Sequence, residues 1–422
     1  MSMKLTRLVV LFLIVASLTA EPLAIVQPDS VGLAADRLAR ITAEIERDVA
    51  EGRIAGASGL ISRRGKVAYF EARGMANAEK KIPLQKDTIF RIYSMTKPIA
   101  GVALMMLHEE GKFFLTEPVS RYIPELKGQK VWVDGARAPG DPKAGRRIEA
   151  KREITIQDLM RHTAGFTYGA FGNTAIDKMY NETGVLSSNQ TLADMITKLQ
   201  ALPLLYHPGE QFHYSVAVDV QGRLIEVLSG ERFDKFLKQR IFDPLGMTDT
   251  DFWVPKDKVG RFAELYSPAR AGNPIRPSNP RSSARYFVPG TFYSGGGGLV
   301  STSQDYLKFC QMMLNGGTYD GKRLLSRKTV ELMTTDHLGE RGRTGVLPPG
   351  YGFGLDVAVH VDQAASGSAA SVGEYNWLGV AGTRMWIDPV EEMIGIYMVQ
   401  MRPAGGRFGA RFKQLAYQTI AD

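Results

Sequence analysis

Ser94 and Lys97 stand three residues apart in "RIYSMTKPIAGVALMMLHEEGK", Arg91 to Lys112. One is a latent nucleophile and the other a latent base. The segment opens polar and then turns apolar. Ile99, Val102, Leu104, Met105, Met106 and Leu107 cover most faces of a helix, which predicts a buried helix. Pro98 fits only in its first turn, where backbone N–H groups lack helical partners. Ser94 therefore falls at or just before that turn, and Gly111 marks the far end. Residues i and i+3 share a helix face, so the Ser94 hydroxyl and the Lys97 amine can meet. The helix N-terminus favours a developing oxyanion. A lysine desolvated beside a buried helix loses affinity for its proton and can act as a base. The chemistry on offer is an activated serine. The alternative is an N-capping serine beside an unrelated lysine. A chain of 422 residues yields roughly one such pairing by chance, so the pair needs support from elsewhere.

Other nucleophile and metal chemistries find little footing. The nearest approach to a G-x-S-x-G elbow is Gly56-Ala57-Ser58-Gly59, with Leu60 where the last glycine is required. The six histidines contain no H-E-x-x-H, and the single cysteine, Cys310, can build neither a zinc cluster nor an intrachain disulfide. Within "DYLKFCQMML" Cys310 reads as a core residue. Gly295 to Gly298 matches no P-loop and reads as a tight turn that lets backbone approach closely. A serine without a histidine needs another proton acceptor. "PGEQFHYS", Pro208 to Ser215, puts Tyr214 just before the helical "SVAVDVQGRLIEVLSG". A phenol near a lysine ammonium loses its proton more readily and can exchange it. For one tyrosine, simple packing is the alternative. In "NWLGVAGTRMW", Trp377 and Gly379 read as strand residues, and the glycine permits close approach of a ligand.

The elements that must position these residues follow from periodicity. Val31 to Gly52 reads as an amphipathic helix on Leu33, Leu38, Ile41, Ile45 and Val49. "ASGLISRRGKVAYFEARG" reads as a hairpin about Arg64-Gly65. Strand-like runs return late, in "YGFGLDVAV", "EYNWLGVAG", "TRMWIDP" and "MIGIYMVQ", before a closing helix in "RFGARFKQLAYQTIAD". Two early strands and three or four late ones predict one antiparallel sheet built from both chain ends, framing a helical insertion. The expected organisation is one α+β catalytic domain over 21–422, with its sheet region at about 21–114 and 286–422 and a mainly helical insertion at about 115–285.

Composition sets the class. With 44% hydrophobic and 23% charged residues the chain is ordinary globular material with length for a large core. Lys4 and Arg7, an apolar run from Leu8 to Leu18 and small residues to Ala20 read as a secretory signal peptide over 1–20; an uncleaved anchor is the alternative. The protein is then expected to be exported, periplasmic or secreted. The net charge is +8, and loss of Lys4 and Arg7 with no acid leaves +6. The basic residues are dispersed except in "KAGRRIEAKR", Lys143 to Arg152. No aromatic residues interleave it, so it reads as a solvated loop and not a nucleic-acid surface.

Five motifs occur in order: Ser94–Lys97, "LMRHTAGF" at Leu159–Phe166, "PGEQFHYS", "GGGGLVST" and "WLGVAGTRMWIDP". Together they resemble the serine β-lactamase and penicillin-binding-protein superfamily, nearest to class C β-lactamases and family VIII carboxylesterases, over roughly residues 35–420. The resemblance implies an antiparallel sheet flanked by helices, a helical region, and the site between them. It implies Ser94 as acylated nucleophile, Lys97 as its proton partner and Tyr214 as second base. It implies an oxyanion hole from the backbone N–H groups of Ser94 and Val380, and Trp377, Gly379 and Tyr168 along the substrate.

Two departures bear on the substrate. Val216 stands where class C enzymes carry Asn in Tyr-x-Asn, and Trp377-Leu378-Gly379 replaces Lys-Thr-Gly. The absent lysine would hold a substrate carboxylate, so recognition of penicillins should suffer. Ser187-Ser188-Asn189 mimics an S-x-N element but precedes the better-matched tyrosine motif and reads as a loop coincidence. The expectation is a serine hydrolase for small esters, with no metal or organic cofactor and no nucleic-acid partner. A class C-like β-lactamase, a D-Ala-D-Ala peptidase-like enzyme and an idle binder of cell-wall fragments are the alternatives.

Overall fold

Strict alternation along Met393–Val399 sets the plan of the molecule. Ile394, Ile396 and Met398 enter one hydrophobic core, while Met393, Tyr397 and Val399 enter another. All seven residues are buried, as expected of a strand covered on both faces. The computed structural model describes residues 24–134, 145–268, 275–278, 281–343, 346–404 and 407–422. The expected signal peptide, and Lys143 at the head of the basic run, lie outside them.

The central sheet has eight strands: β1 (Gly56–Arg63), β2 (Lys66–Asn77), β3 (Ile82–Pro83), β6 (Tyr351–Phe353), β7 (Ala358–His360), β8 (Tyr375–Leu378), β9 (Arg384–Asp388) and β10 (Met393–Val399). Short β4 (Phe90–Arg91) and β5 (Val300–Ser301) pair with each other outside it. The sheet order is β6-β7-β8-β9-β10-β1-β2-β3, and every neighbouring pair is antiparallel. The seam between β10 and β1 joins the two chain ends, with Ala57 opposite Val399 and Arg63 opposite Met393. The hairpin expected at Arg64-Gly65 links β1 to β2, with both turn residues at positive φ. The late run "YGFGLDVAV" is two strands, because the chain reverses at Leu355-Asp356, where Asp356 adopts φ 63°.

Helix α1 (Ala35–Ala50) and the closing helix α8 (Arg407–Tyr417) cover one face, packing Leu38, Ile41, Phe412 and Ala416 on Trp386 and Tyr397. The other face carries α2 (Thr96–Glu109), whose residues from Thr96 to Leu107 are all buried, and α7 (Ser303–Leu314). The insertion supplies α3 (Ile156–Met160), α4 (Ala175–Thr183), α5 (Leu192–Gln200) and α6 (Ala217–Ser229), with α6 against α2. Helices α3 to α5 each begin with a reciprocal cap, Thr155 with Asp158, Thr174 with Asp177 and Thr191 with Asp194, which satisfies otherwise orphaned N–H donors. The basic run is not wholly a loop: Arg146–Glu149 pairs as an exposed ribbon with Lys130–Val133. Among the described residues no helix is long and apolar enough to cross a membrane.

Gly395 lies directly opposite Trp386 on the face toward α1 and α8, and a Cβ there would come within 2.0 Å of the indole. The ring has no room to retreat inside a closed core. Gly395→Ala is expected to lower unfolding stability by about 1–3 kcal/mol, read as a reduced urea midpoint with unchanged slope.

Candidate active site

The approach to Ser94 is fixed on both sides. β4 pairs with β5, and the Ile92 N–H donates to Leu299 O at 3.1 Å. Tyr93 then takes φ 44°, a conformation that costs a bulky residue of order 1–3 kcal/mol. It is held there by packing against Leu265 and Ala381. Ser94 follows in a single 3-10 turn, Tyr93–Met95, immediately before α2. Tyr306 Oη donates to Met95 O at 2.8 Å, and Thr96 Oγ1 accepts from the Leu299 N–H at 3.1 Å. The nucleophile candidate thus sits on a pinned, strained corner.

Lys97 lies in the first turn of α2 and is wholly buried. Its Nζ donates to Ser94 Oγ at 3.2 Å, Tyr168 Oη at 2.8 Å and Gly296 O at 2.5 Å. Three donors have three acceptors, so the buried group is satisfied. It also stands 4.6 Å from the centre of the Tyr214 ring. Gly296 belongs to the glycine-rich turn, which acts as expected through close backbone approach. A Cβ at Gly296 would meet Asp219 Oδ2 at 2.6 Å and Tyr168 Oη at 2.7 Å. Asp219 on α6 holds that turn, accepting from Ser294 Oγ at 2.5 Å and from the Gly296 N–H at 3.1 Å.

The structure redistributes the aromatic residues. Tyr168, expected along the substrate, is the hydroxyl bonded directly to Lys97, and it also lines the cleft beside Ser94. Tyr214 meets Lys97 through its ring face, and its ring packs beside that of Tyr168 with centres 5.3 Å apart. Burial, then the neighbouring Tyr214 and Asp219, hold the Tyr168 phenol well above its ordinary value, so it stays protonated. Trp377, 4% exposed, does not line the cleft: it packs on Tyr214 at 5.4 Å and on Phe353 at 5.3 Å, one layer behind. Gly379 is required by backbone contact, since a Cβ there would lie 2.5 Å from Ile92 O and 2.2 Å from Thr383 Oγ1. That approach brings the next residue, Val380, to the cleft opposite Ser94. Among the described residues the backbone N–H groups of Ser94 and Val380 have no acceptor. Both remain available to an incoming oxyanion.

Three buried ionisable groups around Lys97 escaped sequence reasoning. Burial raises the Asp219 carboxyl and raises Asp356 further, with Lys97 opposing both shifts. Burial, then Lys97, drives the His162 imidazole well down, which keeps it neutral. Asp356 accepts from Gln221 Nε2 at 3.0 Å, and its other oxygen has no partner. Gly101 makes room for it on α2, where a Cβ would lie 2.8 Å from that oxygen. The only sequence signals were the glycine in a helix and acids within apolar runs. Among the described residues no cluster could hold a metal ion.

The cleft above Ser94 has a volume of about 250 Å³, and Phe171, Phe252, Phe292 and Tyr293 contribute to its walls. Ser188, expected to be incidental, lines it too.

A protein-family model described as Beta-lactamase matches residues 41–418. Protein Rv1367c of Mycobacterium tuberculosis is 36% identical over 360 residues, 83% of this chain and 87% of that one. Esterase EstB of Burkholderia gladioli is 29% identical over 84% of this chain and 88% of its own. The solved structure of EstCE1, described as a hydrolase with promiscuous acyltransferase activity, superposes with a TM-score of 0.73 at 26% identity, covering 90% of this chain and 99% of that one.

The raised Asp356 carboxyl has a consequence for stability. A group whose folded pKa exceeds its unfolded value stabilises the fold below the unfolded value and loses that contribution as pH rises through the folded one. Asp356→Asn is expected to flatten the fall in unfolding free energy as pH rises above the ordinary aspartate range, about 4, measured by urea titration at each pH. An unchanged slope would show that Asp356 ionises normally.

Proposed function

Because the chain belongs to the beta-lactamase family, we propose that it is an exported serine hydrolase cleaving carboxylic ester bonds of small substrates through an acyl-enzyme on Ser94. The observation that carries this reading is the contact of buried Lys97 Nζ with Ser94 Oγ, Tyr168 Oη and Gly296 O. A purely structural lysine has no need of a cleft-lining serine as acceptor.

The steps follow from that geometry. Fully protonated, Lys97 is only a donor, so the competent form has given up one proton. Neutral Nζ accepts the Ser94 proton as Oγ bonds to the ester carbonyl carbon, while Tyr168 and Gly296 keep the amine aimed. The carbonyl oxygen gains negative charge between the N–H groups of Ser94 and Val380. Collapse breaks the C–O bond, and the departing alcohol takes a proton from Lys97 by way of the Tyr168 hydroxyl, beside which Tyr214 packs. Water then attacks the acyl carbonyl, gives its proton to the same chain, and releases the acid with Ser94 restored.

The names of EstB and EstCE1 favour esters over lactams, as does the absence of Lys-Thr-Gly. Ser94→Ala and Lys97→Ala are each expected to lower hydrolysis of p-nitrophenyl butyrate by about 10³-fold or more. Tyr168→Phe and Tyr214→Phe are each expected to lose about 10²-fold in kcat. A chromogenic cephalosporin should open more slowly than the ester. Faster lactam opening would make the protein a β-lactamase, and retained turnover in Ser94→Ala would remove the nucleophile. Failure of a fluorophosphonate to label Ser94 would favour the idle binder. Export rests on the N-terminal sequence and predicts a mature mass lacking residues 1–20 after expression in a bacterium with a periplasm.

A further inference from the structure

We propose that the part of the cleft bounded by Arg285 and Arg402 binds a carboxylate, so that the preferred esters carry an anionic group. This builds on Ser94 as the acylated nucleophile. Both arginines line the cavity that holds Ser94 and Val380. Both are exposed to it, neither forms an ion pair among the described residues, and no described Asp or Glu lines the cavity. Two unneutralised guanidinium groups at one cleft attract an anion.

The arginines are positioned. The Arg285 guanidinium lies 4.7 Å from the Tyr286 ring, and its Nη2 donates to Tyr286 Oη at 2.7 Å. The Arg402 guanidinium lies 5.9 Å from the ring of Tyr93, the residue before Ser94. Its backbone N–H donates to Tyr266 O at 2.8 Å, and the Met401 N–H donates to Ala381 O at 3.0 Å. Arg402 is therefore tied to the loop that presents Val380. Contact with a ring face leaves guanidinium N–H edges free for a carboxylate. Behind them lies Arg91, wholly buried, 4.1 Å from the Phe262 ring and 5.4 Å from Tyr286, with its Nε unpartnered. Glu264, bonded to Ser283, partly offsets it.

The test uses two matched ester pairs. 4-Nitrophenyl hemiadipate against 4-nitrophenyl hexanoate places the charge on the acyl side. 4-Acetoxybenzoate against 4-acetoxybenzamide places it on the alcohol side. In one pair the anionic ester is expected to have a kcat/KM about 10-fold or more higher, a preference that shrinks with added salt. In the Arg285→Gln/Arg402→Gln variant that ratio is expected to fall about 10- to 100-fold. Calorimetry on Ser94→Ala measures binding of hemiadipate, hexanoate, acetoxybenzoate and acetoxybenzamide without turnover. Neutral esters turned over with no anionic preference in either pair would overturn the proposal and leave the esterase reading intact. Selective anion binding by Ser94→Ala, with no ester hydrolysed by the wild type, would do the reverse. A ratio unmoved by the double variant would also overturn it, and the two single variants answer the same question if the double one does not fold.

Discussion

Everything about the site depends on one constraint: a lysine amine placed in a closed core must find acceptors or lose its charge. Lys97 is wholly buried, and each of its acceptors comes from a different part of the chain. Ser94 arrives on the corner before α2, Tyr168 on the loop after α3, and Gly296 on the glycine-rich turn. An isolated buried ammonium is far too costly to keep, so these three segments and the helix that carries the lysine stand or fall together. Two of the acceptors that satisfy the amine, the Ser94 and Tyr168 hydroxyls, also line the cleft.

Holding that arrangement requires strain and close contact elsewhere. Tyr93 is bent into a left-handed conformation by the packing around it. Gly296 and Gly379 admit neighbours that no side chain would tolerate. Asp219 braces the turn from α6, and Trp377 props Tyr214 from behind. The sheet supplies the rigid frame. Its seam between the first and last strands ties the Val380 loop to the corner bearing Ser94, and neither chain end alone supplies both of these cleft-lining residues.

Much of the frame was legible from periodicity. The continuous apolar run Met393–Val399, the Arg64-Gly65 turn and the apolar run after Pro98 gave the sheet and the central helix, because burial on both sides leaves a strong local signature. Strand ends were less legible. The break in "YGFGLDVAV" at Asp356 depends on a reversal with no Gly-Asn or Pro signal at its centre. In the site, Ser94 and Lys97 could be paired because three residues of helix fix their relation. The jobs of Tyr168, Trp377 and Asp356 could not, because each depends on which side chain lies across a gap between distant segments.

The sequence by itself determined the spacing of Ser94 and Lys97, the antiparallel sheet made from both ends, and the family to which the order of motifs belongs. Those features are written in local periodicity and in short motifs. Only the tertiary structure decided that Tyr168 and not Tyr214 bonds to the lysine, that Trp377 stands behind the site, and that two arginines from separate loops face one cleft. These are relations across long sequence separations. They are fixed by the packing that closes the core and by the need to give every buried polar group a partner.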